Sequence, residues 1–201
     1  MKKIIYIIIF FINVSAQNHW ETAIFASDEW EYIVPNEELL SNWNESNFED
    51  EMWMTSQGGF GYGDGDDGTI IESAISVYFR KSFNVLDKNK LSCAILSADY
   101  DDGYIAYLNG VEISRSYNLP EPGTFVSFDQ TTYYDHEASL YNEGLPDNIF
   151  LDSLLLNNLL VYGENVLAVQ VHNVSISSSD MSANFFLTFG ITDESEFYFP
   201  P

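Results

Sequence analysis

The chain has 201 residues, 7 basic against 31 acidic side chains, a formal net charge of −24 and 16% aromatic residues. So acidic a surface excludes nucleic acid as a natural partner and favours cations, while the aromatic content excludes a disordered chain. Cys93 is the only cysteine, so no internal disulfide is available and the fold must rest on its core, with or without a metal.

Met1-Lys2-Lys3 is a basic start, Ile4 to Ile12 an apolar run, and Val14-Ser15-Ala16 supplies small residues at a cleavage position. Residues 1–16 therefore read as a secretory signal peptide, and the product is expected to be secreted or held at the cell surface. A membrane helix needs roughly 20 apolar residues. No run reaches that length, so no membrane insertion is expected after cleavage. Residues 17–191 form one domain, and 192–201 read as an acidic, Pro-containing linker or tail. A general explanation of the negative charge is adaptation to an extracellular or saline medium.

Along the domain, Glu29 to Val34 alternates and ends at Pro35, as a strand does. Asn36 to Trp43 reads as a helical turn capped by Asn36. Gln57 to Gly68 holds Gly58, Gly59, Gly61, Gly63, Gly65 and Gly68 and is a loop. Thr69 to Phe83 is a long β candidate with Ile75, Val77, Phe79 and Phe83 on one face and Tyr78 and Arg80 on the other. Leu91 to Ala98 is apolar on both parities, as in a central strand, and predicts a buried Cys93.

Ala98 to Arg115 reads strand, acidic turn at Asp101-Asp102-Gly103, strand, hairpin turn at Asn109-Gly110, strand. The last turn is the strongest short hairpin signal because both positions need positive φ. Ser116 to Asn148 is a long irregular stretch, with a short strand candidate at Phe125 to Phe128. A loop of that length in a compact domain points to function. Asp152 to Leu160 is helical in pattern, with Asp152 as cap and Leu154, Leu155 and Leu159 inward. Val166 to Val174 and Ala183 to Ile191 close the chain of strands. The sum is an all-β, antiparallel β-sandwich with one or two short helices.

Four segments carry a resemblance: Gly58 to Asp64, Tyr78 to Phe83, Asp101 to Val111, and Gly163 to Asn173. The chain from Trp30 to Ile191 resembles the galactose-binding-like jelly rolls of secreted and surface bacterial proteins. More narrowly, it resembles the sandwich that precedes spore-coat-protein-H-like kinase domains in Bacteroidetes-type bacteria. The resemblance implies a jelly-roll module usually joined to further chain. No kinase segment is present, so no phosphoryl transfer is carried over.

Two acidic clusters are candidate sites. Asp64, Asp66 and Asp67 alternate with glycine and suit calcium, which takes hard oxygen ligands on flexible backbone. The segment is not an EF-hand, because Ile75 stands where the closing Glu would be. The alternative is a solvated acidic turn. Asp101 and Asp102, with Tyr100, Tyr104, Tyr133 and Tyr134, form a candidate ligand-binding edge for a polysaccharide or cell-surface glycan. Carboxylates accept from sugar hydroxyls, and aromatic rings stack on sugar C–H faces. The alternative is turn chemistry, with Asp99, Asp101 or Asp102 paired to Arg80 or Arg115.

No catalytic residue is expected. There is no Gly-x-Ser-x-Gly elbow, no zinc spacing, and no phosphate-binding glycine loop. His172 is expected to bond an Asp or Ser and tie a loop to its strand. The chain therefore reads as a non-catalytic binding module, with a structural spacer of a larger surface protein as the alternative.

Overall fold

The computed structural model describes residues 19–63, 65, 67–192 and 199. The signal peptide read at 1–16, Asp64, Asp66 and most of the acidic tail lie outside the described residues.

Among the described residues, twelve strands form two six-stranded sheets. In chain order they are β1 (His19–Ile24), β2 (Glu29–Ile33), β3 (Met54–Gln57), β4 (Phe60–Tyr62), β5 (Thr69–Ile70), β6 (Ser76–Val85), β7 (Leu91–Asp101), β8 (Gly103–Leu108), β9 (Val111–Arg115), β10 (Asp147–Asp152), β11 (Gly163–His172) and β12 (Met181–Ile191). The first sheet runs β10-β7-β12-β4-β5, with β1 also on β12. The second runs β3-β2-β6-β11-β8-β9. The short β4–β5 pair is parallel; the other pairs are antiparallel. The expected antiparallel sandwich is observed.

The core lies between the two inner faces. Ala94, Leu96 and Ala98 of β7 and Phe185, Leu187 and Phe189 of β12 face Val77 and Phe79 of β6 and Leu167, Val169 and Val171 of β11. Alternation of apolar and polar residues, with a period of two, sets this register; a one-residue slip would turn each set away from the core. Phe199, in the stretch read as a linker, is buried and stacks on Phe189 with ring centroids 5.1 Å apart.

The second sheet is covered on its outer face as well. Residues 36–53 and the loop after β9 lie over it, and Trp43, Trp53, Tyr78, Val166 and Ala168 form a second cluster there. In place of the expected helical turn, Asn36 to Trp43 forms a bend at residues 36–37 and a turn beginning at residue 41. Arg80 anchors this covering segment. It is 2% exposed, its Nε donates to Asp50 Oδ2 at 2.7 Å, and its Nη1 donates to the carbonyls of Trp43 and Glu45. The guanidinium carbon also lies 5.2 Å from the Phe48 ring centre, within cation–π range.

Other local expectations divide. Asn109 and Gly110 take φ of 50° and 86° and join β8 to β9. Asp152 caps α1 (Ser153–Leu159), the one α-helix among the described residues, by accepting from Leu155 N at 2.8 Å. The buried helix residue is Leu156, and Leu154 is 71% exposed. Thr69 to Phe83 splits into β5 and β6, and no strand forms at Phe125 to Phe128. Cys93 is only half-buried.

Candidate functional site

The site is built at the corner where β7 of the first sheet passes into β8 of the second. Gly103 must be glycine there. A Cβ would fall 2.6 Å from Thr132 Cγ2 and 3.0 Å from both Asn118 Oδ1 and Ser116 Oγ. The long loop after β9 thus lies directly on the corner.

Carboxylates at the end of β7 and in the corner after it hold that loop. Asp99 Oδ1 accepts from Ser139 N at 2.6 Å. Asp102 Oδ1 accepts from His136 N at 2.8 Å, and Asp102 Oδ2 accepts from Val174 N at 2.6 Å. Asn118 Nδ2 donates to the carbonyls of Asp102 and Tyr134. Charged acceptors on backbone N–H groups are among the stronger hydrogen bonds, which explains how an irregular segment of this length keeps one conformation. Asp102→Asn keeps one acceptor and sets an NH₂ against the other backbone N–H. It is expected to cost about 1–3 kcal/mol and to speed amide hydrogen exchange at His136 and Val174. Unchanged exchange at both amides would remove the staple from the account.

The structure corrects the expected ligand edge. Tyr100, Asp101, Asp102 and Tyr104 are buried, at 2–4% exposure. Both Asp102 oxygens serve the backbone. Tyr100 stacks on His136, with ring centroids 4.2 Å apart and 5° between planes, and its hydroxyl donates to Asp147 at 3.2 Å. Burial raises the Tyr100 hydroxyl pKa, with Asp147 adding to the effect. Tyr104 shares a 2.7 Å hydrogen bond with Ser114. Tyr133 and Tyr134 are the exposed members of the set, at 57% and 66%. The arginines are not partners of this corner. Arg80 takes Asp50, and Arg115 takes Glu112 in a two-point contact at 2.8–2.9 Å. Each sits on the outer face of the second sheet, away from β7.

What the corner brings together is a different acidic set. Asp101, Glu137 and Asp180 each offer a carboxylate oxygen within 4.8 Å of the others. The Asp102–His136 bond sets Glu137 beside the corner. The Asp101–Ser182 pairing of β7 with β12 brings Asp180, two residues earlier, to the same end. Burial, followed by the charges of Asp102, Asp180 and Glu137, pushes the Asp101 pKa up to about 8. Hard oxygen donors at this spacing fit a cation such as calcium. Asp67, of the predicted metal set, is half-buried and lies against Gly61, outside this group among the described residues.

Nothing in the sequence links Asp180 or Glu137 to Asp101. Neither lies near Asp101 in the chain. His172 is fully buried, and its Nδ1–H donates to Gln130 O at 2.8 Å. It therefore ties the long loop to β11 through a backbone carbonyl, not through an Asp or Ser side chain.

A second constellation lies on the covered outer face of the second sheet. A cavity of about 110 Å³ is lined by Glu38, Trp43, Tyr78, Tyr107, Phe125 and Gln170, among others. Trp43 meets Tyr78 and Tyr107 edge-on, at 4.6 and 5.6 Å between centroids.

No protein-family model matches the chain, and no curated protein matches it. Solved structures do. A calcium-binding mutant of Bacteroides uniformis β-glucuronidase 2 aligns with a TM-score of 0.52 at 15% identity, covering 86% of this chain and 18% of that one. An uncultured Clostridium sp. β-glucuronidase aligns with a TM-score of 0.52 at 14% identity, covering 92% and 31%. A glycosyl hydrolase family 2 member from Bacteroides cellulosilyticus aligns with a TM-score of 0.50 at 11% identity, covering 85% and 20%. At these identities the likeness is one of fold. This chain spans less than a third of each of those proteins.

Proposed function

We propose that the chain is a non-catalytic, carbohydrate-binding module of an exported protein, with a calcium-type cation bound by Asp101, Glu137 and Asp180 at its loop end. The observation that supports the reading is that the whole sandwich aligns with a fraction of chains named as β-glucuronidases and glycosyl hydrolases. The acidic set fits the expected cation by donor chemistry. Calcium is expected to raise the melting temperature by several degrees over chelator, and Asp180→Asn is expected to abolish most of that rise. Equal melting temperatures with calcium and with chelator would rule the cation out.

Carbohydrate binding is tested by retention of the folded protein on a panel of insoluble and immobilised polysaccharides. Retention on at least one is the expected result. Export is tested by N-terminal sequencing of protein recovered from the medium, with Gln17 as the expected first residue.

The second reading, a structural spacer, is favoured by one observation. Leu145, just before β10, Phe150 on β10 and Leu154 on α1 stand 66–83% exposed near the edge strand β10 of the first sheet. Exposed apolar side chains at a sheet edge suit contact with a neighbouring domain. Folded protein that no glycan retains would leave this as the better reading.

A further inference from the structure

The acidic group at the Asp101 corner is closed on one side and open on the other. Asp101 is 4% exposed, Asp180 is half-buried and Glu137 is exposed. Their carboxylate oxygens lie within 4.8 Å of one another, so the group has a buried floor at Asp101 and a mouth on the Glu137 side.

Asp101 itself points to a positive ion. Among the described residues no N–H or O–H group donates to its carboxylate. Arg80, Arg115, Lys81 and Lys88 all bond elsewhere. Asp102, its neighbour, is a second acceptor. A carboxylate this buried needs a donor or a cation, and its oxygen is turned instead toward those of Glu137 and Asp180.

The surrounding carboxylates limit how far such an ion is enclosed. Asp102 adds no ligand, because Oδ1 accepts from His136 N and Oδ2 from Val174 N. Asp99 Oδ1 and Oδ2 are likewise spent on Ser139 N and Leu140 N. Calcium takes about six to eight oxygens. One oxygen each from Asp101, Glu137 and Asp180 leaves at least about three positions, on the side where Glu137 meets solvent.

We propose that two of these open positions take adjacent hydroxyls of a neutral sugar, so that the cation is the contact through which the module holds its glycan. This rests on the cation and carbohydrate-binding readings and says how the two are joined. Hydroxyl oxygens are hard donors of the kind calcium prefers, and a vicinal pair spans two neighbouring positions. Tyr133 and Tyr134, both exposed, come just before Glu137 in the loop. Asn118 Nδ2 donates to the carbonyls of Tyr134 and Asp102 alike, which keeps this aromatic pair at the same end for the sugar's C–H groups. Charge selects against an acidic sugar, because three carboxylates outweigh one divalent cation on a chain of net charge −24.

The test is terbium luminescence, with terbium standing in for calcium and the lifetimes in H₂O and D₂O counting its bound waters. Terbium that calcium displaces is expected. Saturation with at least one of mannobiose, galactobiose and cellobiose is expected to lower the water count by about two. Calorimetry on the calcium-loaded protein should detect the same sugar, and chelator should abolish that binding. Glu137 is exposed, so Glu137→Gln should fold as the parent does. It is expected to weaken terbium binding at least about tenfold, and the sugar with it. A sugar that binds without changing the water count, or equally well in chelator, would overturn this proposal and leave the cation and binding-module readings standing. Terbium bound with none of the three sugars taken up would overturn it as well, and retention on polysaccharides in chelator would then keep the module reading alone. A protein that binds no terbium would remove the cation and this proposal together.

Discussion

Arg80→Met is expected to unfold the protein at markedly lower denaturant, with a stability loss of roughly 3–5 kcal/mol. The side chain is buried in the outer-face cluster, where it donates to Asp50 and to the carbonyls of Trp43 and Glu45. Methionine fills most of the volume and supplies none of the donors. Those carbonyls are left unpaired beneath the covering segment, and each such group costs about 1–3 kcal/mol. Lysine should rescue little, because one ammonium cannot reach the same spread of acceptors. Urea unfolding followed by tryptophan fluorescence reads the result. A midpoint within experimental error of the parent would show that residues 43–50 are held by their aromatic side chains alone.

The second large effect is a pH dependence produced by two buried groups of opposite sign. Burial pushes the His172 pKa down to about 4. Its ordinary value is near 6.5, so the unfolded chain takes up a proton that the folded protein refuses between those two values. The stability this group contributes is present above pH 6.5 and is lost as pH falls through 4, by roughly 3 kcal/mol in all. Asp101 acts the other way. With its folded pKa raised to about 8 by burial, then by Asp102, Asp180 and Glu137, its contribution is present at acid pH and is lost as pH rises through 8.

In chelator the two effects offset each other from about pH 4 to 6.5, and stability falls from there toward pH 8.5. Asp101→Asn should expose the His172 effect as a loss of stability on going from pH 7 to pH 4. His172→Gln should leave only the opposite slope. Urea unfolding of the three proteins at pH 4, 6.5 and 8.5 separates these slopes. Parallel profiles for the parent and His172→Gln would show that His172 titrates normally, and would therefore mean that the ring is reached by water. Calcium should flatten the alkaline fall in the parent, because a bound cation favours the ionised carboxylate.

The solved structures share the β-sandwich fold; the resemblance to galactose-binding-like jelly rolls rests on the sequence motifs. Its narrower half, toward sandwiches joined to spore-coat-protein-H-like kinase domains, rests on sequence motifs alone.

The sequence by itself determined the strands and their inner faces. Val77 and Phe79, or Leu187 and Phe189, alternate with their neighbours, and a half-buried strand is written in that period of two. It also determined the Asn109-Gly110 hairpin and the Asp152 helix cap, because those depend on residues adjacent in the chain. Tertiary structure alone decided which carboxylates meet. Asp101, Glu137 and Asp180 converge because Asp102 staples the loop at His136 and because β12 pairs with β7, and no local pattern encodes either contact. It also decided that Tyr78 and Arg80 are buried. The period of two marks them as facing away from the core, but only the long loop and residues 36–53, folded over that face, turn an outer surface into a second interior with a cavity in it.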